Sequence, residues 1–277
     1  MISLINMKIF DFNIHLYSKE FGDINSQILE DTELTSLDLI TSLNKNIRHF
    51  VTSGLTSGNF MLFNSEIHKD PNFNLFITES QKYLPNSCYT ILLDLDTKFE
   101  ELEFIKQLGI SFIKFHCYVQ KITSRDYKKI LFLCKKAEEL NLGICIDTSF
   151  GTTGLYKYDN LRLVAFLSEH IKKSVIILLH SGGARILEAM LIADQNPNIY
   201  LETSLTIDFY RGSNLQNDIM FAYKKIGFNR VLFASDFPYQ AVNGALNDVL
   251  CLADKFNLSS EDLENILYNN SYRLLNG

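Results

Sequence analysis

The 277-residue sequence lacks any stretch rich in proline, glycine and serine, and it contains only 4 prolines and 13 glycines. Because linkers between domains are commonly built from such stretches, we expect one domain over residues 1–277. The sequence also lacks an apolar run of the roughly 18 residues that a membrane helix requires. Its N-terminal segment, MISLINMKIF, lacks the basic and long apolar regions of a secretory signal. We therefore expect a cytoplasmic protein without a membrane partner.

Basic residues are in the minority, since 26 Lys and Arg stand against 32 Asp and Glu in the whole chain. No basic stripe with interleaved aromatic residues is present, which argues against nucleic acid as a partner. The five cysteines include no Cys-x-x-Cys pair, and most of them lie in or beside apolar runs. They are typical of free thiols in a reducing compartment rather than of a disulfide framework.

What the sequence does contain is a series of eight short, nearly continuous apolar runs. Such runs are typical of strands that are covered on both faces of a parallel sheet. The predicted strands are Lys8–Ile14, Arg48–Ser53, Cys88–Leu93, Ser111–Phe115, Gly143–Ile146, Ser174–Leu179, Ile199–Thr203 and Arg230–Ala234. Amphipathic segments separate them, and the clearest predicts a helix from Ser124 to Leu140. A closing helix is predicted to begin near Ser259, which fits a capping pattern with Asp262.

Eight strand-and-helix units predict a single-domain (β/α)8 TIM barrel, since each crossover returns the chain parallel to the preceding strand. The alternative fold is a doubly wound open sheet, but the glycine-rich turn that usually follows its first strand is missing. The long segment from Leu16 to Thr35 is predicted to be a loop that serves as a lid. The polar loops 150–160 and 205–218 are predicted to open onto the same rim.

Three of the apolar runs end on a residue type that binds metals or carries out acid–base chemistry. They end at His15, His180 and Asp236, which are far apart in the sequence. In a parallel α/β barrel the active site lies at the C-terminal ends of the strands. We therefore predict that these three residues meet in one site.

Several motifs resemble, in order along the chain, those of the amidohydrolase-related family of metal-dependent TIM-barrel hydrolases and decarboxylases. The motifs are KIFDFNIHL, KFHCY, ILLHSGG, NPNIYLETS, VLFASDFP and ENILYNNSYRLL. Carried over residue by residue, the resemblance implies metal positions at Asn13, His15, Asp147, His180 and Asp236. Asn13 and Asp147 depart from the family pattern, because histidine is usual at both positions.

The resemblance implies one divalent metal that acidifies a water molecule, with Asp236 as the general base that accepts its proton. Two imidazoles and two carboxylates are suited to zinc or manganese. The expected ligands are His15, His180, Asp147 and Asp236. The amide oxygen of Asn13 is a poorer ligand than imidazole, so a site without a metal stays an open alternative. Some lactonases of the superfamily that this chain resembles are similar in working without a metal.

A site without a metal is still predicted to be hydrolytic, with a carboxylate that activates water and cationic groups that hold an anionic substrate. The predicted catalytic residues are Asp236, His180 and His116. The predicted substrate-binding residues are Lys114, Asn13, Gly182 and Arg211. Gly182 precedes a helix, and the free N–H groups at a helix start favour a carboxylate or phosphate.

The leading interpretation is a hydrolase that acts on a small carboxylated molecule such as a lactone, amide or ester. Decarboxylation is the nearest alternative, because the resembled family contains both chemistries on one scaffold. A third interpretation is a barrel that binds a small molecule without catalysis, motivated by the histidine that Asn13 replaces. Because members of the resembled family are often dimers, the resemblance also implies a homodimer.

Overall fold

The eight strands of the protein pair in sequence order, each parallel to the next, in a computed structural model that describes residues 7–17, 38–149 and 156–276. The strands are β1 (Phe10–His15), β2 (Ser57–Leu62), β3 (Cys88–Leu92), β4 (Phe112–His116), β5 (Gly143–Asp147), β6 (Ile176–Leu179), β7 (Ile199–Glu202) and β8 (Val231–Leu232). The chain after β8 returns to β1, where the N–H of Phe12 donates to the carbonyl of Phe233 at 2.8 Å. The sheet therefore closes, and the predicted (β/α)8 barrel is confirmed over the doubly wound alternative.

Helices connect the strands and surround the barrel. In chain order they are α1 (Leu39–Thr52), α2 (Phe73–Tyr83), α3 (Phe99–Gln107), α4 (Tyr127–Glu139), α5 (Asn160–Ser168), α6 (Ile186–Gln195), α7 (Thr206–Phe209), α8 (Leu215–Ile226), α9 (Val242–Lys255), α10 (Ser260–Glu264) and α11 (Asn270–Asn276). A π-helical turn, Asn265–Asn269, joins the last two. Within the described part of the chain, we find no helix with the length and apolar character needed to cross a membrane.

The prediction of a strand at Arg48–Ser53 is wrong, because Arg48 to Thr52 belong to helix α1 and the second strand begins at Ser57. Helix α1 begins after Asp38, whose carboxylate accepts the N–H of Thr41 at 3.0 Å. Its buried apolar positions recur at helical spacing and are Leu39, Leu43, Ile47 and Phe50. The predicted strand is the C-terminal part of this pattern, and so short a run does not reveal its period on its own.

Two predicted helices are confirmed. Helix α4 lies within the predicted segment, and the carboxylate of Asp126 accepts the N–H of Thr123 at 2.8 Å just before it begins. The closing helix begins after Ser259, whose hydroxyl accepts the N–H of Asp262 at 3.0 Å. The predicted lid, from Leu16 to Thr35, lies outside the described residues except for its first two residues, Leu16 and Tyr17, which are both buried.

Alternate side chains along each strand face the barrel interior. On β4 these are Phe112, Lys114 and His116, in order from the N-terminal to the C-terminal end. Phe112 packs edge-to-face against Phe12, with 5.2 Å between ring centroids, in a buried apolar cluster that fills the lower barrel. Charged side chains therefore collect at the C-terminal end, above an apolar floor.

Candidate active site

Strands β4 and β5 bring three polar side chains together at the C-terminal end of the barrel. His116 ends β4 and pairs in register with Asp147, which ends β5. The Oδ2 atom of Asp147 lies 3.4 Å from Nε2 of His116 and 3.8 Å from Nζ of Lys114. Burial lowers the pKa of His116 to about 4 despite the attraction of Asp147, so its imidazole is neutral at neutral pH.

A tight turn after β6 places His180 over the same carboxylate. The backbone has positive φ from His180 through Gly183, including +83° at Gly182. A Cβ atom on Gly182 would lie 2.9 Å from the Cβ of Ala189, so both the conformation and the space require glycine. The N–H of Gly182 donates to the hydroxyl of Thr148 at 2.8 Å. The predicted substrate-binding glycine therefore shapes the turn, and its N–H is occupied within the protein.

The imidazole of His180 is held by polar groups at both nitrogens. Its Nε2 lies 3.2 Å from Oδ2 of Asp147, and its Nδ1 lies 3.0 Å from the hydroxyl of Ser204. Burial favours the neutral ring, but the attraction of Asp147 and Asp236 outweighs it and raises the pKa of His180 to about 10. His180 is therefore an imidazolium cation at neutral pH.

Glu202, at the end of β7, supports His180 and was not among the sequence predictions. Its fully buried carboxylate accepts the backbone N–H of His180 at 2.5 Å and both the N–H and the hydroxyl of Ser204 at 2.7 Å. Burial raises the pKa of Glu202 above its usual value. The sequence signal was present, since Glu202 ends an apolar run in the same way as Asp147.

The site is completed by the ends of β1 and β8. Nε2 of His15 lies 3.3 Å from Oδ1 of Asp236, whose own N–H donates to the carbonyl of Asn13 at 2.9 Å. Burial lowers the pKa of His15, which makes its ring neutral at neutral pH. Burial disfavours the charged form of Asp236, but the attraction of His180 and the hydrogen bond from His15 hold its pKa below the usual value. Asp236 is therefore an ionised carboxylate.

Asp11 is a second carboxyl group that sequence reasoning missed. It accepts the N–H of Ser235 at 2.9 Å and of Asn13 at 3.1 Å, and its Oδ2 lies 2.5 Å from the Ser235 hydroxyl. Complete burial raises the pKa of Asp11 to about 7. Because Ser235 precedes Asp236, these bonds tie the turn that carries Asp236 to strand β1.

A cavity of about 160 Å³ lies over these groups. The polar residues that line it are His15, Lys114, His116, Asp147, Ser149, His180 and Asp236. Phe63, Leu205 and Tyr239 complete the lining among the described residues. Nζ of Lys114 lies 5.2 Å from the ring centroid of Phe63, and this ring also packs edge-to-face against His15. An ammonium group over an aromatic face is stabilised by the ring quadrupole.

Besides Gly182, two further predicted substrate-binding residues do not line this cavity. Arg211 lies on the rim with 57% of its side chain exposed, and it pairs with Asp208 at 2.6 Å and Asp248 at 2.5 Å. Asn13 is fully buried below the site, where its amide nitrogen lies 3.4 Å from the Ser204 hydroxyl. Its amide oxygen has no hydrogen-bond partner among the described residues. Of the four predicted substrate-binding residues, the structure brings Lys114 alone into the cavity.

Residues 91–277 match the model of a protein family described as Amidohydrolase. The chain belongs to this amidohydrolase family. No curated protein matches the chain in sequence.

Solved structures show the same barrel. An uncharacterised TIM-barrel protein from Bordetella bronchiseptica has a TM-score of 0.71 and 17% identity, over 98% of this chain and 99% of that one. A candidate 2-pyrone-4,6-dicarboxylic acid hydrolase from Acinetobacter baumannii, with citric acid bound, has a TM-score of 0.62 and 16% identity over 98% and 100%. A dihydroxybenzoic acid decarboxylase from Polaromonas sp. JS666, with bound manganese and the inhibitor 2-nitroresorcinol, has a TM-score of 0.60 and 13% identity over 98% and 96%. At these identities the likeness establishes the fold.

The residues of this site do not fit the metal that amidohydrolase membership implies. Both nitrogens of His180 are already engaged by protein groups, Nε2 with Oδ2 of Asp147 at 3.2 Å and Nδ1 with the hydroxyl of Ser204 at 3.0 Å. The ammonium of Lys114 brings a further positive charge to within 3.8 Å of the expected ligand Asp147. No three His, Cys, Asp or Glu side chains converge on an ion position within residues 7–17, 38–149 and 156–276. The four expected ligands instead form two hydrogen-bonded pairs.

Proposed function

We propose that this member of the amidohydrolase family hydrolyses a small carboxylated molecule, such as a lactone, ester or amide, without a metal. The observation that carries the proposal is the position of Asp236, a buried and ionised carboxylate that lines the same cavity as the ammonium of Lys114 and the imidazolium of His180. For water to attack a carbonyl, a base must accept a proton from the water and cationic groups must stabilise the negative charge that develops on the carbonyl oxygen.

Asp236 is the proposed general base. The neutral imidazole of His15 donates through Nε2 to one oxygen of Asp236 and so orients the carboxylate. The lowered pKa of Asp236 keeps it ionised throughout the neutral range. In the proposed reaction it accepts a proton from water as the water oxygen attacks the substrate carbonyl. Asp236 then returns this proton to the leaving oxygen or nitrogen as the acyl bond breaks, which balances the hydrolysis.

Lys114 and His180 are the proposed electrostatic groups. Both lie near Oδ2 of Asp147, which offsets their charge in the buried site. The 3.8 Å separation of Nζ of Lys114 from this oxygen exceeds a hydrogen bond and leaves ammonium protons for an anionic substrate group. The cation of His180 favours the negative charge that develops on the carbonyl oxygen. The neutral imidazole of His116 is proposed to position the substrate beside Lys114 rather than to act as a base.

The proposal is tested by the hydrolysis of a panel of lactones, esters and amides that each carry a free carboxylate, with protein freed of metals by a chelator. We expect the wild type to hydrolyse part of the panel under these conditions. Asp236→Asn keeps the size of the side chain and is expected to lower kcat by about 10²- to 10⁴-fold, the usual contribution of a general base. Lys114→Met is expected chiefly to raise KM for carboxylated substrates over uncharged analogues.

Asp96→Asn is the matched control, since this aspartate is 88% exposed and lies outside the cavity. Unchanged turnover in Asp236→Asn would contradict the assignment of the base. Turnover that appears only when manganese or zinc is added back would contradict the metal-free reaction. Release of CO₂ in place of acyl hydrolysis would contradict the proposed hydrolysis and identify the protein as a decarboxylase.

A further inference from the structure

Leu205, three residues after the end of β7, lies on the boundary between two cavities. The first is the 160 Å³ cavity over Asp236 described above. The second has a volume of about 120 Å³, and its lining includes Phe209 and Tyr210, which do not line the first. Leu205, His180 and Ser149 line both cavities among the described residues. A side chain in this position decides how far a ligand in the first cavity extends into the second.

The backbone of Leu205 has a conformation that leucine rarely adopts. Its φ of 52° and ψ of −29° lie in the left-handed region, which a branched residue enters only when its surroundings impose it. The N–H of Thr206 donates to the carbonyl of Ser204 at 2.5 Å, which forms a tight turn around Leu205. The hydroxyl of Thr206 donates to the carbonyl of His180 at 2.5 Å. The network that holds His180 therefore also holds Leu205 in place.

Packing in the hydrophobic core does not explain this leucine. Leu205 is only half-buried, and neither of the two apolar clusters formed by the described residues includes it. A glycine would adopt the same backbone conformation without strain. The sequence nevertheless has a large apolar side chain here, and among the described residues this side chain lines both cavities.

We propose that Leu205 is a specificity-determining residue that separates the acid–base cavity from the second, largely apolar cavity. It thereby limits the length of the apolar group that a carboxylated substrate carries. This inference rests on the proposed function for its substrate class, but the boundary itself follows from the position of Leu205. Shortening the side chain is expected to join the cavities and admit longer apolar groups.

The test compares the affinities of two unreactive ligands, benzoate and biphenyl-4-carboxylate, measured by isothermal titration calorimetry. In the wild type we expect benzoate to bind more tightly than the biphenyl acid. Leu205→Ala and Leu205→Gly are each expected to shift the ratio of the two Kd values toward the biphenyl acid by about tenfold or more, the discrimination that a few apolar atoms supply in a pocket. The alanine variant keeps the left-handed strain and the glycine variant relieves it, so a shift in both identifies the side chain as the cause.

Phe209→Ala is the matched control, because among the described residues Phe209 lines the second cavity and not the first, and it is 67% exposed. An equal shift in Phe209→Ala, or unchanged ratios in both Leu205 variants, would overturn the proposal. The neutral pair benzyl alcohol and 4-biphenylmethanol is measured alongside and is expected to shift in the same direction. If neither carboxylate binds the wild type while the neutral pair still shifts, the anionic substrate class is wrong and the assignment of Leu205 stands. Unchanged ratios for the neutral pair would overturn the assignment whatever the carboxylates do.

Discussion

Replacing Asp147 by asparagine removes the negative charge that lies close to the side chains of His180, His116 and Lys114. Its Oδ2 lies 3.2 Å from Nε2 of His180, 3.4 Å from Nε2 of His116 and 3.8 Å from Nζ of Lys114. Removing one partner of a buried ion pair costs about 3–5 kcal/mol, because the remaining charge stays buried without compensation. We therefore expect Asp147→Asn to lower the free energy of unfolding by about this amount at pH 7.

The pKa of His180 supplies an independent bound on this loss. The folded protein raises this pKa from 6.5 to about 10, which corresponds to about 5 kcal/mol for all of the surroundings together. Because the folded pKa is raised, this stability is fully present below pH 6.5 and is lost as the pH rises through 10. The difference between wild type and Asp147→Asn is therefore expected to be largest just below pH 6.5 and to shrink as the pH rises toward 10.

The assay is urea unfolding followed by far-UV circular dichroism at several pH values, since the chain has no tryptophan to report on folding. Asp96→Asn serves as control, because Asp96 pairs with Lys129 on the surface and its loss is expected to change little. A loss below about 1 kcal/mol in Asp147→Asn, or a loss that is the same at every pH, would refute the reasoning from a buried imidazolium.

Three further substitutions test the carboxyls and the turn around the site. Asp11→Asn is expected to flatten the pH dependence of the free energy of unfolding, which urea unfolding at pH 5 and pH 8 checks. Because the pKa of Asp11 is raised in the folded protein, its contribution to stability is fully present below pH 3.8 and is lost as the pH rises through about 7. Glu202→Gln is expected to cost about 1–3 kcal/mol at pH 7, since its new amide group faces the N–H of Ser204. Gly182→Ala is expected to lower Tm in calorimetry by more than Gly212→Ala, because both have φ near +80° but no atom of the described residues lies within 4 Å of a Cβ on Gly212.

Much of the barrel and most of the polar residues of its site could be predicted because both follow from local pattern. A strand covered on both faces leaves a nearly continuous apolar run, and the first polar residue after it stands at the rim. This rule placed His15, His180 and Asp236 correctly in one cavity. Glu202 obeys the same rule at the end of β7, and its side chain lies wholly beneath His180.

Other predictions depended on contacts that no local pattern contains. The guanidinium of Arg211 lies on the rim because Asp208 and Asp248 bind it there, and Asp248 belongs to a different helix. The N–H of Gly182 is taken by Thr148 from the neighbouring strand end. Thr148 and Asp248 are distant in sequence from the residues that they bind, and the pairing of Asp208 with Arg211 depends on how their loop packs. Composition and spacing therefore do not reveal these contacts.

The sequence by itself determined which residue types stand at the rim of an eight-stranded barrel, because strand length and apolar periodicity are local properties of the chain. The tertiary structure alone decided which of them are charged and what each one binds. His116 ends β4, His180 directly follows β6 and both approach Asp147, yet the pKa of His180 is raised to about 10 and that of His116 is lowered to about 4. Burial lowers the pKa of both rings, and the difference arises from the carboxylates of Asp147, Asp236 and Glu202 around His180, charges that the closed barrel brings together from distant parts of the sequence.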